Sequence, residues 1–307
     1  MLGLSLDAAG RIHAIDDDGM PAGKLDRLPS LTKPTLIMVH GFNFDPFERG
    51  GDNPHRNLFA ELWRPQLAEI APIRRGEWDV FAFGWYSGEV REAEGWAGAW
   101  MNGRFNPYRW AWDLAENAGG VLADLIGWGP EDDPARTYPE IMVMAHSLGS
   151  RVALEALHQL PPHRVSRVLL LNGAEYAQTA KVVAAYTRAD VMNIHVRTDD
   201  VLDKLGETFA PERFMAAVVG RDGIRQPPPH WVDVQLDSPD TQTYGRRFGL
   251  ELEGDDPREY SDHWYSYKHV PNWRLYRAFL AGHWRCADIK LALCDGEEDC
   301  LDMSAVA

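Results

Sequence analysis

One serine lies where an apolar run changes directly into helical spacing. Residues 141–151 read IMVMAHSLGSR, with Ser147 at the change, and the residues two before and two after it are the small Ala145 and Gly149. A serine on such a tight strand-to-helix turn is held in strained dihedrals, and larger neighbours would collide with the strand and the helix. The pattern predicts a nucleophilic hydroxyl beside the positive end of a helix, in preference to a serine that only caps it.

A second motif ends the earlier apolar run TLIMV and reads VHGFN at positions 39–43. Together with AHSLG at 145–149, it resembles the pair of motifs in bacterial serine-hydrolase-like proteins of the α/β-hydrolase superfamily. The resemblance extends over residues 34–280, and it is specific at these two motifs and loose between residues 85 and 107. It implies an α/β-hydrolase fold and a Ser-His-Asp triad.

An oxyanion formed at the serine needs two N–H groups about 3 Å away. The residue after the nucleophile, Leu148, is expected to supply one of them. The resemblance assigns the other to Phe42, and Gly41 lets the backbone approach closely. His40 is expected to pack and to form hydrogen bonds beneath this loop, because the histidine base of the family comes late in the chain.

The triad acid should follow a strand beyond the serine, since the chain order in this fold is Ser, then Asp or Glu, then His. The apolar run 190–196 leads into RTDDVL at 197–202. Both Asp199 and Asp200 are candidates. The family pattern S-x-x-D-x-V/A-L favours Asp199, and Asp200 would then point to solvent or cap the following helix.

The base is sought among the histidines that follow these aspartates. His263 lies in SDHWY at 261–265, ahead of the last predicted helix, and this resembles the family pattern D/G-H-x-x-Y. His269, at the start of that helix, is the alternative. His230 precedes a strand and His283 ends a helix, so neither lies at the catalytic edge of the expected sheet.

An aromatic segment follows the second buried strand. Five tryptophans fall within 28 residues: Trp85, Trp96, Trp100, Trp110 and Trp112. One interpretation is a lid-like insertion over residues 86–107 that forms an apolar acyl pocket. The other is plain core packing, the usual place for aromatic side chains.

Strand and helix patterns alternate along the chain. The predicted strands cover 35–40, 78–85, 140–146, 165–172, 190–196 and 231–236, and the predicted helices 57–70, 108–126, 148–160, 178–186 and 271–281. A hairpin is expected in the first 20 residues and a connector over Pro21–Pro34. The alternation predicts one α/β domain over residues 1–285, an open and mostly parallel sheet with helices on both faces. The acidic, cysteine-containing segment 286–307 is expected to be a tail, partly ordered at most.

Composition narrows the function classes. The chain has 307 residues, with 31 Lys and Arg against 46 Asp and Glu, for a net charge of −15 and no basic run, which disfavours nucleic-acid binding. No apolar run approaches the roughly 20 residues of a transmembrane helix, and no secretory leader is recognisable. The three cysteines all lie in the last 22 residues, a pattern that favours the cytoplasm over a disulfide framework.

The sequence therefore predicts a serine esterase that acts on a small ester or acyl substrate, an apolar one if the aromatic segment forms an acyl pocket. H-E-x-x-H and C-x-x-C motifs are absent, and neither a metal nor an organic cofactor is expected. Two alternatives stay open: a binding or scaffold protein on the same fold without turnover, and an acyltransferase. Nothing in the sequence indicates an acyl length or an oligomeric state.

Overall fold

One sheet organises the molecule. This computed structural model describes residues 2–49, 53–88, 107–127, 138–203, 217–239, 241, 245 and 262–293. Within those ranges the strands are β1 Leu2–Leu6, β2 Ile12–Ile15, β3 Pro21–Lys24, β4 Thr35–Val39, β5 Asp79–Trp85, β6 Ile141–His146, β7 Arg167–Leu171, β8 Asp190–His195 and β9 Trp231–Gln235. Their spatial order is β3-β2-β1-β5-β4-β6-β7-β8-β9.

Parallel pairing dominates this sheet. Strands β1 and β4 to β9 pair in parallel, while β2 is antiparallel to both β1 and β3. The predicted mostly parallel sheet and the predicted N-terminal hairpin are thus confirmed. The predicted connector over Pro21–Pro34 is wrong for its first four residues, which form β3. Proline is tolerated there because Pro21 begins an edge strand, where its missing N–H breaks little of the ladder.

Helices cover both faces of the sheet. They are α1 Arg64–Leu67, α2 Ala71–Arg74, α3 Pro107–Gly127, α4 Gly149–Gln159, α5 Ala177–Tyr186, α6 Val219–Asp222, α7 Tyr265–Lys268, α8 Trp273–Leu280 and α9 Cys286–Leu293, with a π-helix over His55–Trp63 and a 3₁₀ turn over Val270–Asn272. Helices α3 to α6 pack on one face, and the π-helix, α1, α8 and α9 pack on the other. No helix in the described ranges is long and apolar enough to cross a membrane.

The central strands are apolar without interruption because both of their faces are buried. In β4, Ile37 and Val39 contact the α3–α4 side of the sheet, whereas Leu36 and Met38 contact the side that carries α8. All four side chains are 0% exposed. This two-sided burial fixes the register of the central strands, and hence the places where their carboxyl ends meet.

The predicted helix over 57–70 differs in kind. Its first part is the π-helix, which continues as α1 from Arg64, and Pro65, a residue that has no N–H to donate, lies in the first turn of α1. The wider π turn changes which residues share a face. Leu58 and Trp63 are buried as a result, but Leu62, placed on the apolar face by α-helical spacing, is 41% exposed.

The first part of the predicted tail is helical. Helix α9 buries Cys286 and Ile289, and the Cys286 thiol donates to the Val191 carbonyl at 3.2 Å. Residues 294–307, with the other two cysteines, lie outside the described residues. So do residues 89–106, and with them most of the aromatic segment whose role as lid or core the sequence leaves open.

Candidate active site

Ser147 occupies a strained turn between β6 and α4. Its φ is +52°, in the left-handed region that non-glycine residues rarely adopt, and the residue is 4% exposed. The backbone around it is held on both sides, since Ser147 N donates to the Leu171 carbonyl and Ala174 N donates to the Ser147 carbonyl, both at 2.9 Å. Strain held in place by its surroundings is typical of functional residues.

Two glycines bring neighbouring backbone against this turn. A Cβ added at Gly41 would lie 2.7 Å from Ser147 Cβ and 3.3 Å from Ser147 Oγ. A Cβ at Gly149 would collide with the carbonyl oxygens of Val39 and His40 at the end of β4. The VHGFN loop therefore lies directly beside the serine, as an oxyanion site formed by both motifs requires.

The two expected N–H donors lie on these segments. Leu148 follows the serine at the start of α4, it is fully buried, and its N–H has no acceptor within the described ranges. Phe42 follows Gly41, and its ring contacts that of Tyr108 edge-on at 5.3 Å. The first N–H groups of a helix have no intrahelical acceptor, so they can bind a developing negative charge.

Asp199 has a complete set of donors. Its Oδ2 accepts from His263 Nδ1 at 2.7 Å and from Asn172 Nδ2 at 2.8 Å. Its Oδ1 accepts from the backbone N–H groups of Val201 and Leu202 at 3.0 and 2.9 Å. An ionised carboxylate is acceptor-only, so four donors match a buried and charged Asp199.

The neighbouring aspartate has a different environment. Asp200 is exposed, whereas Asp199 is 0% exposed. The sequence leaves both open and predicts that, if Asp199 meets the histidine, Asp200 points to solvent or caps the next helix. In the structure Asp199 contacts the histidine through Oδ2, and through Oδ1 it also caps the helical turn that covers residues 200–203.

The hydrogen bond to Asp199 fixes the tautomer of His263. Because an ionised carboxylate can only accept, Nδ1 carries a proton, and in the neutral tautomer with this proton the lone pair lies on Nε2. That Nε2 is buried and has no hydrogen-bond partner among the described residues. The expected bond to Ser147 Oγ is therefore not formed here, although such bonds often tighten only when substrate is present.

His146 links the loop that carries His263 to the turn that holds Ser147. His146 Nε2 lies 3.3 Å from the His263 carbonyl, and the two rings are 4.8 Å apart. The other side of its ring meets Tyr267 edge-on, also at 4.8 Å. Burial, reinforced by His263, holds the pKa of His146 well below its usual range, so this ring is neutral.

His40 lies beneath the VHGFN loop. Its Nδ1–H donates to the Gly41 carbonyl at 2.9 Å, and its Nε2 accepts from the Trp85 N–H at 3.0 Å. The Trp85 indole donates to the His40 carbonyl and stacks on the imidazole, with ring centroids 5.6 Å apart. Burial lowers the pKa of His40 to about 3, so the ring is a neutral support for the loop.

The other histidines that the sequence considered as the base lie elsewhere. His269 stacks on Tyr265 with ring centroids 4.9 Å apart. His230 Nε2 donates to the Ala184 carbonyl at 2.9 Å. His283 follows the end of α8. His263 is the one of these four that contacts Asp199 in the described structure.

A row of aromatic contacts begins at Phe42. Tyr108 contacts Phe42, Trp112 contacts Tyr108 at 6.1 Å, and Tyr176 contacts Trp112 at 5.0 Å. Tyr108 and Trp112 belong to α3, and Tyr176 immediately precedes α5. Aromatic side chains thus adjoin the segment that holds Phe42.

An ion pair between half-buried Arg151 and buried Glu175 lies beside Trp112 in this row. Arg151 donates to Glu175 at 2.8 Å and to the Trp112 carbonyl at 3.0 Å, and its guanidinium lies 4.4 Å from the centre of the Trp112 ring. Burial raises the pKa of Glu175, and the guanidinium opposes that rise. The pair joins α3 and the loop after β7 to the helix that follows Ser147.

Sequence reasoning missed two residues that touch this arrangement. In the sequence Asn172 only ends a predicted strand, and His146 is only one residue of the AHSLG motif. A signal existed for Asn172, since a polar residue directly after the buried run RVLLL ends a parallel strand at the edge where ligand crevices form. Its contact with Asp199, however, depends on the positions of two loops.

The sheet order, the parallel strands and the strained serine between β6 and α4 constitute an α/β-hydrolase fold. No family model matches the chain, and no curated protein matches it. Among solved structures, esterase PE8 has a TM-score of 0.34 and 18% identity, covering 72% of this chain and 95% of that one. The metagenomic carboxyl esterase MGS0156 has a TM-score of 0.30 and 14% identity, covering 87% and 83%.

Proposed function

We propose that this protein is a serine hydrolase that cleaves a carboxylic ester through an acyl-enzyme intermediate. The observation that carries the proposal is the buried contact of Asp199 with His263 Nδ1 at 2.7 Å, which leaves Nε2 without a partner among the described residues. Such an imidazole is a base, and the strained Ser147 lies on the turn against which its loop is held.

In the first half of the reaction, Ser147 Oγ attacks the ester carbonyl carbon and its proton passes to His263 Nε2. The electron pair of the C=O bond moves to oxygen, and the N–H groups of Leu148 and Phe42 stabilise that oxyanion. Each such donor is worth about 10²–10³-fold in turnover. The intermediate collapses, the C–O bond to the alcohol breaks, and the alcohol leaves with the proton from His263.

The second half repeats these steps with water. His263 takes a proton from water, the hydroxyl attacks the acyl carbon on Ser147, and the oxyanion forms in the same place. Collapse breaks the bond to Ser147 Oγ, which recovers its proton from His263, and the carboxylic acid leaves. Asp199 keeps its charge throughout and stabilises the imidazolium formed in each half.

The substrate we propose is a small ester with an apolar acyl group. The aromatic row beginning at Phe42 supports this, because it adjoins the oxyanion donors and offers aromatic surface to an acyl chain. The mechanism needs neither a metal nor an organic cofactor. The cytoplasmic location remains a prediction from the cysteine pattern.

The test combines covalent labelling with turnover. A fluorophosphonate probe and a panel of p-nitrophenyl esters of increasing acyl length are applied to wild type and to Ser147→Ala. Ser166→Ala is the matched control, because Ser166 donates to the carbonyl of Ile141, the first residue of β6, whereas Ser147 follows the last residue of that strand. We expect Ser147→Ala to lose labelling and at least about 10⁴-fold in turnover while folding normally.

Three outcomes would contradict the proposal. Turnover retained in Ser147→Ala would mean that another group is the nucleophile. A folded wild type that neither reacts with the probe nor hydrolyses any ester of the panel would favour a binding protein on this fold. A wild type that reacts with the probe but turns over the esters only when an alcohol is added would be an acyltransferase.

A further inference from the structure

Asn172 lies between the nucleophile and the acid. It follows β7 directly and is 0% exposed, and its φ of +46° lies in the left-handed region. Its Nδ2 donates to Asp199 Oδ2 at 2.8 Å, the same oxygen that accepts from His263 Nδ1. The side chain therefore contacts the carboxylate oxygen on which the orientation of His263 depends.

The orientation of the Asn172 amide follows from its partner. A carboxylate offers only acceptors, so the NH₂ group must face Asp199 and the amide oxygen must point away. That Oδ1 is buried and has no hydrogen-bond partner in the described part of the chain. The unmet acceptor and the left-handed backbone both cost free energy, and costs of this kind concentrate at functional sites.

The backbone of this residue is tied to the turn that holds Ser147. The residue before it, Leu171, accepts a hydrogen bond from Ser147 N, and Ala174, two residues after it, donates to the Ser147 carbonyl. Asn172 N itself donates to the Ile194 carbonyl in β8 at 2.9 Å. The backbone of segment 171–174 thus binds the turn that holds Ser147, and the side chain of Asn172 binds Asp199.

We propose that Asn172 is a positioning residue for the triad: its amide holds Asp199 Oδ2 in line with His263 Nδ1 and keeps the acid at a fixed distance from Ser147. This inference rests on the proposed function, since it assigns Asn172 a role in the same site. The alternative role is structural only, in which Asn172 fills space and accommodates the left-handed turn.

Two variants separate these roles. Asn172→Gly keeps the left-handed backbone at no steric cost but removes the donor. Asn172→Asp keeps the size and the tolerance for this φ, but it places an acceptor oxygen against Asp199 while ionised. Gln226→Gly is the matched control, because Gln226 also has a positive φ, +55°, in an exposed loop before β9.

We measure kcat and KM on the best ester of the panel at pH 8, thermal unfolding, and the downfield NMR resonance of the His263 Nδ1 proton. The expected result for Asn172→Gly is a fall in kcat on the order of 10–100-fold, typical of losing a hydrogen bond that orients a reacting group. KM should not change, and the downfield resonance should shift or broaden. Asn172→Asp should lose at least as much kcat, and Gln226→Gly should behave as wild type.

The outcomes separate this inference from the function on which it rests. If Asn172→Asp keeps the wild-type kcat, Asn172 is only structural. The same holds if Asn172→Gly unfolds at a lower temperature but keeps the wild-type kcat and the resonance. In either case Ser147→Ala still reports on the hydrolase itself. If Ser147→Ala keeps its turnover, the proposed function fails, and the NMR resonance, which needs no substrate, still tests the contact of Asn172 with the Asp199–His263 pair.

Discussion

Two buried histidines, His40 and His263, lie at the carboxyl edge of the same sheet and differ in what their ring nitrogens meet. Both nitrogens of His40 bond to backbone, Nδ1 to the Gly41 carbonyl and Nε2 to the Trp85 N–H. His263 bonds to the Asp199 carboxylate through Nδ1, and its Nε2 has no partner in the described structure. Burial is nearly equal, at 0% and 3% exposed.

The partners of the two rings indicate how a structural histidine differs from the proposed base. An imidazole whose two nitrogens are both occupied can hold a loop but cannot accept a proton from a substrate or a serine. An imidazole with one carboxylate partner and one vacant nitrogen can accept that proton and stabilise the resulting charge. Partners, more than depth of burial, distinguish the two roles.

The largest effect on turnover is expected when His263 is replaced, with the same replacement at His40 as the comparison. His263→Gln is expected to lower kcat/KM by roughly 10⁶-fold, the loss caused by removing the histidine of a serine protease triad. The thermal midpoint should change less than in His40→Gln, which disturbs the bonds to Gly41 and Trp85. The comparison fails if His40→Gln is the inactive variant once activity is counted per folded molecule.

The acid gives the next largest effect. Asp199→Asn is expected to cost about 10⁴-fold in turnover, because an amide at this position favours the wrong tautomer of His263. Asp200→Asn is the adjacent control, and its exposed side chain should leave kcat unchanged. Equal losses in the two variants, measured as kcat on the same ester, would show that Asp199 is not the group that orients the base.

The smallest effect is a pH dependence of stability. Burial lowers the pKa of His40 to about 3, and burial with a contribution from His40 lowers the pKa of His55 to about 3, against 6.5 for an exposed histidine. Between pH 6.5 and pH 3 these histidines bind protons in the unfolded chain but not in the folded one. The free energy of unfolding is therefore highest above about pH 6.5 and decreases as the pH falls toward 3. Each pKa unit is worth about 1.4 kcal/mol, so each ring contributes a few kcal/mol across this range.

Thermal unfolding as a function of pH checks this prediction. The carboxylates also affect the acid side, so the informative quantity is the difference in slope between variants. His40→Gln should flatten the dependence between pH 6.5 and 4, although it lowers the midpoint at pH 8. His163→Gln removes an exposed histidine and should leave the slope as in wild type. Identical slopes in all three proteins would rule out a protonation cost at His40.

The sequence was informative where local pattern and local structure coincide. The run IMVM followed by AHSLG specified a buried strand, a tight turn and a helix, because few residue types fit that turn. Continuous apolar runs specified parallel strands buried on both faces. Local pattern failed at the helix over 57–70, where the first part is a π-helix and Leu62 is exposed, because α-helical spacing does not describe the faces of a wider turn.

By itself the sequence determined the position of Ser147 on its turn, the alternation of strands and helices, and a short set of candidate partners. Only the tertiary structure brought Asp199, and not the exposed Asp200, to His263 across 64 residues of chain, and placed Asn172 on the same carboxylate oxygen. The reason is physical: a turn is set by the sterics of a few adjacent residues. A hydrogen bond between loops depends instead on the register of several strands, which the packing of the whole core fixes.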